Sequence, residues 1–200
     1  MENKQQLSCI AHHLMVNASF MNSLGLFYGK MGIVIFFAHY ARFTENPLYD
    51  KFAFKLLNEI YAEISLSLPI DFANGFCGIG WGIEYLLQEH FMTGDANEIL
   101  SELDTKIMEC DVRRIQDKSL DTGLAGIWLY VHSRLAHGGN SAFLDTYIKD
   151  ISKAITSLDR KDIIFDITKQ FTKREQPLYN MPLCLVDGCA GLGLKLMDNK

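Results

Sequence analysis

The side chains in this 200-residue chain that could do chemistry are five cysteines, six histidines and a few polar groups set among apolar ones. Cys77 and Cys189 stand out, because each lies inside a Gly-x-x-Gly motif and so at an equivalent point of a repeat. Thiolate and imidazole are soft donors that suit zinc, and a coordinated thiol loses its proton. Cys184 stands five residues before Cys189. A third ligand would have to be His39, His90, His132 or His137, which fall nine to fifteen residues past the first glycine of their motifs. At about 1.5 Å per helical residue, that is roughly a dozen ångströms or more toward the far helix end. No Cys-x-x-Cys occurs, and a buried cysteine is more simply a small hydrophobe. The expectation is therefore no cofactor, with zinc at Cys77 and Cys189 as the lesser alternative.

Glu84 is a carboxylate inside an apolar segment, beside Trp81 and Tyr85. Buried carboxylates are rare and need a partner. Two readings stay open: a paired structural anion, or part of a pocket among the buried helices. Tyr28 stands directly before Gly29, and Trp81 and Trp128 are similarly placed in their repeats. With Glu84 they form the candidate binding set, although core packing is the simpler role for the tryptophans. His12, His13 and His39 read as core or boundary histidines. Asp71, Asp121 and Asp187 read as helix caps. Two nucleotide motifs fail. Gly25 and Gly29 have three residues between them where a P-loop needs four, and Met31 replaces the magnesium-holding Ser or Thr. Gly78-Ile79-Gly80-Trp81-Gly82 follows no strand.

The elements that must position these groups are announced by the glycines. The motif recurs as Gly29 and Gly32, Gly75 and Gly78, Gly123 and Gly126, and Gly188 and Gly191, with first glycines 46, 48 and 65 residues apart. Recurrence at such a period marks a stacked or closed array of helical hairpins. Each pair runs into an apolar stretch, and three of these are apolar on nearly every side: Met31 to Phe43, Phe76 to Met92 and Leu124 to Leu135. Helices without a polar face are buried on both sides. Between them lie one-sided amphipathic stretches: Leu48 to Leu68, Ile99 to Met108 and Phe143 to Leu158. Buried helices should thus alternate with surface helices. Glycine at a helix entrance admits angles closed to other residues. Glycines three or four apart, such as Gly78 and Gly82, let a neighbouring backbone come close. Asn74, Asp121 or Thr122, and Asp187 are the N-cap candidates. Only Asp162 to Phe171 is ambiguous, as an inserted short helix or a strand. No linker separates two domains, so residues 1–200 read as one all-α domain.

Net charge is −5, with 22% charged and 48% hydrophobic residues, and it provides no basic face for nucleic acid. The most apolar run, Met31 to Ala41, falls short of the roughly 20 residues that span a bilayer. The first residues lack the pattern of a signal peptide, so reduced thiols and a cytoplasmic location are expected.

The stretches GLFYGKMGIVIFF (25–37), NGFCGIGWGIEYLL (74–87), DTGLAGIWLYV (121–131) and DGCAGLGLKL (187–196) together resemble the lanthionine synthetase C-like family. The resemblance spans about residues 20 to 200. It implies an α/α toroid with Gly-x-x-Gly at the inner-helix starts. A complete toroid has about seven hairpins by repeat counting, so this chain would form a partial or small ring. Cyclases of the family hold zinc with two cysteines and one histidine and join a peptide thiolate to a dehydrated serine or threonine as a thioether. Their Cys-His-Gly motif is absent here: no Cys-His dipeptide occurs, and Tyr28, Asn74, Thr122 and Asp187 precede the repeat glycines. The expected function is a non-catalytic peptide-binding or scaffolding module in lanthipeptide-type peptide modification. The alternative is a zinc-dependent thioether-forming cyclase with a non-standard or intersubunit site. A toroid enzyme acting on carbohydrates or terpenoids ranks last, for want of paired acids. The implied partners are a peptide or a modification enzyme. The chain itself should be a monomer or weak homodimer, its N-terminal amphipathic segment (Leu7, Ile10, Leu14, Met15) covering the C-terminal helix.

Overall fold

The computed structural model describes residues 2–65, 67–139, 141–155, 163, 165–172 and 177–198. Among these residues the regular structure is helical and no strand occurs. The α-helices are α1 (Glu2–Asn17), α2 (Lys30–Thr44), α3 (Pro47–Glu63), α4 (Phe76–Gln88), α5 (Ala96–Ile99), α6 (Ser101–Met108), α7 (Leu124–Ala136), α8 (Ser141–Ala154) and α9 (Cys189–Asp198). None is long and apolar enough to cross a membrane. The chain divides into two compact units, Met1–Leu66 with Asp166–Lys200, and Ser67–Phe165.

In the first unit, α2 is buried at every position from Lys30 to Ala38, as a helix without a polar face requires. Its neighbour α3 buries Ala53, Leu56, Leu57 and Ile60 and leaves Leu48, Phe54 and Tyr61 exposed. Asn46 caps α3 by accepting the Leu48 N–H at 3.1 Å, with Pro47 in the first turn. The helix stops at Glu63, short of the end of the apolar stripe at Leu68. Pro69 disfavours helical backbone at the residue before it. The N-terminal helix α1 lies against α9 and α2 and buries Leu7, Ile10, Ala11 and Leu14. The amphipathic N-terminal segment does cover the C-terminal helix.

In the second unit, α4 packs on α7, α6 on α4, and α8 on α7. Helices α4 and α7 are largely buried, whereas α8 buries one stripe that includes Leu144 and Ile151. The apolar stretch from Ile99 to Met108 is two helices, not one, because Leu100 leaves helical geometry between them. Of the ambiguous stretch, Ile167–Lys169 forms one turn of 3-10 helix, with Asp166 accepting the Thr168 N–H at 2.9 Å. Asp162 and Ile164 lie outside the described residues, as does Leu158.

The four motifs share one construction. The residue after the first glycine donates its N–H to the carbonyl six residues before that glycine. The pairs are Lys30 to Ser23 at 2.9 Å, Phe76 to Pro69 at 2.9 Å, Leu124 to Asp117 at 3.0 Å and Cys189 to Pro182 at 2.7 Å. A backbone turn thus satisfies a helix-start N–H that a side chain usually caps. Here the structure corrects the N-cap expectation. The capping residues of α2, α4 and α7 are Gly29, Gly75 and Gly123, with no side-chain bond. Their extended angles are open to any residue, so close approach is what demands glycine. A β-carbon at Gly123 would sit 2.6 Å from the Asp117 carbonyl oxygen, and one at Gly188 would sit 2.8 Å from that of Pro182.

In the first, third and fourth motifs the second glycine faces its own leading turn in the same way, again at the carbonyl six residues back. A β-carbon would run into the Leu26 oxygen at Gly32, the Leu120 oxygen at Gly126 and the Leu185 oxygen at Gly191. Two of these glycines also receive a neighbouring repeat. In the first unit, Leu185 and Val186 both donate their N–H to the Phe27 carbonyl, at 3.0 and 3.1 Å. In the second, Phe72 and Ala73 do the same to Asp121, at 3.0 and 2.9 Å. The donor residue then packs on the second glycine of the acceptor repeat. Leu185 Cβ would be 2.7 Å from a β-carbon at Gly32, and Phe72 Cβ 2.5 Å from one at Gly126.

Gly191 corrects the expectation that every such glycine makes room for a neighbour. Beyond its own turn, the nearest group to an added β-carbon is Phe171 Cβ at 3.6 Å, an ordinary van der Waals distance. Glycine is demanded there by the Leu185 carbonyl of its own leading turn. Close packing of a neighbour on α9 falls instead two residues on, where Gly193 faces the Phe36 ring, as Gly80 on α4 faces the Tyr130 ring. The step from the second repeat to the third is therefore built like the step from the fourth to the first.

Candidate functional site

At the glycine end of the first unit, Tyr28 is 44% exposed and meets Phe27 edge-to-face at 6.1 Å. Just beyond Gly29, Lys30 is buried to 1% exposure at the start of α2. Its ammonium lies 2.8 Å from Glu63 Oε1 and 3.2 Å from Glu59 Oε2, both on α3. Glu59 Oε2 has no partner in hydrogen-bonding geometry, so its contact with Lys30 is ionic. Ser19 donates to Glu59 Oε1 at 3.0 Å. Burial pulls the Lys30 pKa down, but Glu63 and Glu59 outweigh it and hold it above its ordinary value. Burial raises the Glu59 carboxyl, and Ser19 and Lys30 more than reverse that.

The aspartates of the leading turns bond residues of their own turns or, for Asp187, an earlier segment, rather than the helix starts. Asp71 accepts the Asn74 N–H at 2.7 Å, and Asp117 accepts that of Ser119 at 2.8 Å. Asp187, in left-handed backbone, accepts both the N–H and the hydroxyl of Thr172, at 2.8 and 2.9 Å.

All five cysteines are free. Cys77 is fully buried in the first turn of α4. Burial holds its thiol well above the ordinary range, and the negative potential of Asp71, Cys110 and Asp104 adds to the effect. In the other unit, burial and the neighbouring Cys184 push the Cys189 thiol up to about 11. Its sulfur lies 4.0 Å from the Leu178 carbonyl oxygen.

Glu84 resolves into a buried ion network within the second unit. Its Oε2 lies 3.2 Å from Arg134 Nη1, and its Oε1 accepts from Gln88 at 3.1 Å and lies 3.4 Å from His137 Nδ1. Arg134 reaches Asp104 Oδ2 at 2.9 Å and Asn97 Oδ1 at 3.0 Å. Tyr130 closes the set by donating to Asp104 Oδ1 at 2.6 Å. Glu84, Arg134 and Tyr130 have at most 1% exposure. The geometry is that of the paired structural anion. Trp81 is half-buried, stacked on Tyr85 at 5.3 Å and edge-on to Phe165 at 4.9 Å. Trp128 is buried and stacks on His132 at 4.6 Å.

The first unit also holds a cleft of about 410 Å³ at the opposite ends of α2 and α9 from the glycine motifs. His39, Arg42 and Phe43 line it from α2, and Leu194, Met197 and Asp198 from α9. Burial, with the Arg42 charge, lowers the His39 pKa to about 4, so its imidazole is neutral near pH 7.

The family model described as lanthionine synthetase C-like protein matches residues 20–198. The chain belongs to the lanthionine synthetase C-like family. No curated protein and no solved structure matches it. The all-helical architecture is consistent with the α/α-toroid class that the family implies. The zinc of the cyclases in this lanthionine synthetase C-like family calls for two thiolates and an imidazole. The residues present do not fit it. Among the described residues, no three His, Cys, Asp or Glu side chains converge to hold a metal. Both Cys77 and Cys189 sit where the protonated thiol is favoured.

Sequence reasoning found Glu84 but not its partners Arg134 and Asp104, and it missed the burial of Lys30. A signal existed in each case. Arg134 is the one formally charged residue on α7, and Glu59 and Glu63 stand four apart on one face of α3, a spacing that can present two carboxylates together.

Proposed function

We propose that this protein is a non-catalytic, peptide-binding or scaffolding member of the lanthionine synthetase C-like family, acting in lanthipeptide-type peptide modification. The observation that carries the reading is the geometry of the donor set: among the described residues no three His, Cys, Asp or Glu side chains come together to hold a metal. Thioether formation on the family's pattern needs a thiolate donor set, and thiolates form where the surroundings are electropositive or a metal is bound. Cys77 instead sits in an apolar, negatively biased site, and Cys189 has a second buried cysteine beside it. The absence of Cys-His-Gly from the sequence points the same way. What remains within each unit is a set of glycine-docked helices, which supports a role in presenting a surface rather than in activating a nucleophile.

The test has two parts. Purified protein should carry no stoichiometric zinc, and what it carries should not change in Cys77→Ala or Cys189→Ala. Incubated with a synthetic peptide holding one cysteine and one dehydroalanine, it should form thioether no faster than buffer does. A full equivalent of zinc lost on either substitution, together with accelerated ring closure, would move the assignment to the cyclase.

A further inference from the structure

We infer that the paired backbone N–H groups of Leu120 and Asp121, in the leading turn of the third repeat, hold a main-chain carbonyl oxygen of a bound peptide. The inference rests on the peptide-binding reading above and gives it a location. The structure holds two filled pairs of this kind. Phe72 and Ala73, three and two residues before the first glycine of the second motif, donate together to the Asp121 carbonyl at 3.0 and 2.9 Å. At the same positions before the fourth motif, Leu185 and Val186 donate together to the Phe27 carbonyl at 3.0 and 3.1 Å. Leu120 and Asp121 stand at those positions before Gly123. Their N–H groups make no hydrogen bond among the described residues. They precede the capping Gly123 and so are not the N–H groups of the helix end.

The third turn is built like the second and fourth. In each, the residue after the first glycine donates to the carbonyl six residues before that glycine, at 2.9 Å for Phe76, 3.0 Å for Leu124 and 2.7 Å for Cys189. Asp117 adds a brace in the third turn, accepting the Ser119 N–H at 2.8 Å and the Ser119 and Thr122 hydroxyls. The donors are thus set in place without a ligand, which lowers the cost of binding one. Two successive N–H groups that converge on one oxygen form a nest for its partial negative charge. Asp121 is exposed and Leu120 half-buried, so a ligand can reach the pair. The filled pairs also indicate what chain carries the oxygen. In both, the acceptor is a main-chain carbonyl, and the first donor's side chain rests on a glycine five residues beyond it. Phe72 rests on Gly126 beyond Asp121, and Leu185 on Gly32 beyond Phe27. The Leu120 side chain calls for the same small residue. The ligand is therefore a peptide that offers a main-chain carbonyl with glycine at the fifth position after it.

The experiment follows the full, isotope-labelled chain by nuclear magnetic resonance. Without ligand, the Phe72, Ala73, Leu185 and Val186 amides should exchange with solvent slowly, and those of Leu120 and Asp121 about a hundredfold faster. Equal protection of all six would mean that the third pair is already filled, and would overturn the inference. The probe is then acetyl-Phe-Tyr-Gly-Lys-Met-Gly amide, the sequence of residues 27–32, whose Phe carbonyl fills the pair in the first unit. Saturable shifts of the Leu120 and Asp121 amide resonances are expected. A thioamide in place of that Phe carbonyl, a weaker acceptor, should bind about fivefold more weakly. Valine in place of the last glycine should cost about tenfold through overpacking against Leu120. Sodium acetate, the anion control, should give no saturable shift at these amides. Equal binding of the amide and thioamide, equal binding of the glycine and valine peptides, or saturable acetate binding would overturn the assignment. Peptide binding with shifts confined to other residues overturns the site and leaves the peptide-binding reading standing. No binding of the peptide overturns the site and leaves the family-level reading to the zinc and thioether measurements above.

Discussion

Replacing Gly126 by alanine adds a single methyl group at the point where one repeat docks on the next. That β-carbon would lie 2.5 Å from Phe72 Cβ and still closer to the Leu120 carbonyl oxygen. Carbon atoms rest at about 3.5–4.0 Å, so something must move by about 1 Å. Neither neighbour yields readily. The Leu120 oxygen belongs to the leading turn of α7. Phe72 is anchored by its N–H bond to Asp121 at 3.0 Å and by edge-on contacts with Trp81 at 5.8 Å and Phe165 at 5.3 Å. Overpacking of this kind costs about 1–3 kcal/mol. Shifting Phe72 also strains the paired N–H bonds to Asp121, each worth about 1 kcal/mol. Against this stands a gain of about 1 kcal/mol from alanine over glycine in a helix. The net expectation is a loss of about 2–4 kcal/mol, with leucine at this position worse. With a urea dependence of about 2 kcal/mol per molar, the unfolding midpoint should fall by about 1–2 M. Gly138→Ala is the control. It has φ of 84° and nothing within 4 Å of an added β-carbon, so only its left-handed backbone resists, at about 1 kcal/mol. A Gly126→Ala midpoint at or above wild type, or no lower than that of Gly138→Ala, would refute the docking argument.

Arg134→Met should cost about 3–5 kcal/mol, because it strands Glu84 and Asp104 as buried carboxylates. Adding Glu84→Gln and Asp104→Asn should recover part of that loss in thermal melts. The Lys30 cluster makes stability depend on pH at both extremes. Glu59, held below its ordinary value, contributes stability that is present above about pH 4.3 and lost as pH falls through its folded pKa. Lys30, held above its ordinary value, contributes stability that is complete below about pH 10.4 and lost as pH rises through its folded pKa. Urea midpoints measured against pH should show both slopes in wild type and neither from this cluster in Lys30→Met. Under brief iodoacetamide treatment, mass spectrometry should find Cys9 modified first and Cys77 and Cys189 modified only after denaturation. Deleting residues 1–18 should uncover the surface of α9 and α2 on which Leu7, Ile10 and Leu14 rest, and cause aggregation seen by light scattering. A soluble monomer of unchanged stability would show that α1 is dispensable.

How far the sequence could be read follows from the range over which each signal acts. The alternation of buried and surface helices was legible, because an all-apolar segment such as Met31–Phe43 and a striped one such as Leu48–Glu63 differ in patterns contained within themselves. The recurring glycines marked the helix starts, but their physical cause did not show. Backbone freedom is not what the first glycine of each motif supplies, since its angles are ordinary. The cause is a carbonyl six residues back, joined at Gly32 and Gly126 by a repeat docking from elsewhere in the chain. Gly191 has the carbonyl without the docking repeat, a difference that four near-identical motifs conceal. The same limit applied to the caps. Asp71 and Asp187 stood at the right distance to cap a helix, yet the backbone had already satisfied the helix-start N–H groups and left Asp71 to brace its own turn and Asp187 to hold Thr172. Charged residues were the least legible. Glu84 was recognisable as an anion in need of a partner, but the partner Arg134 lies 50 residues on. Lys30 was passed over because a lysine at a helix start ordinarily reaches water, and the carboxylates that keep it buried lie 29 and 33 residues away on α3. A long-range ion pair leaves no periodicity behind. Where a charge interrupts a buried helix of this repeat, the useful question is therefore which opposite charges interrupt its neighbours: Arg134 on α7 answers Glu84 on α4, as Glu59 and Glu63 on α3 answer Lys30 on α2.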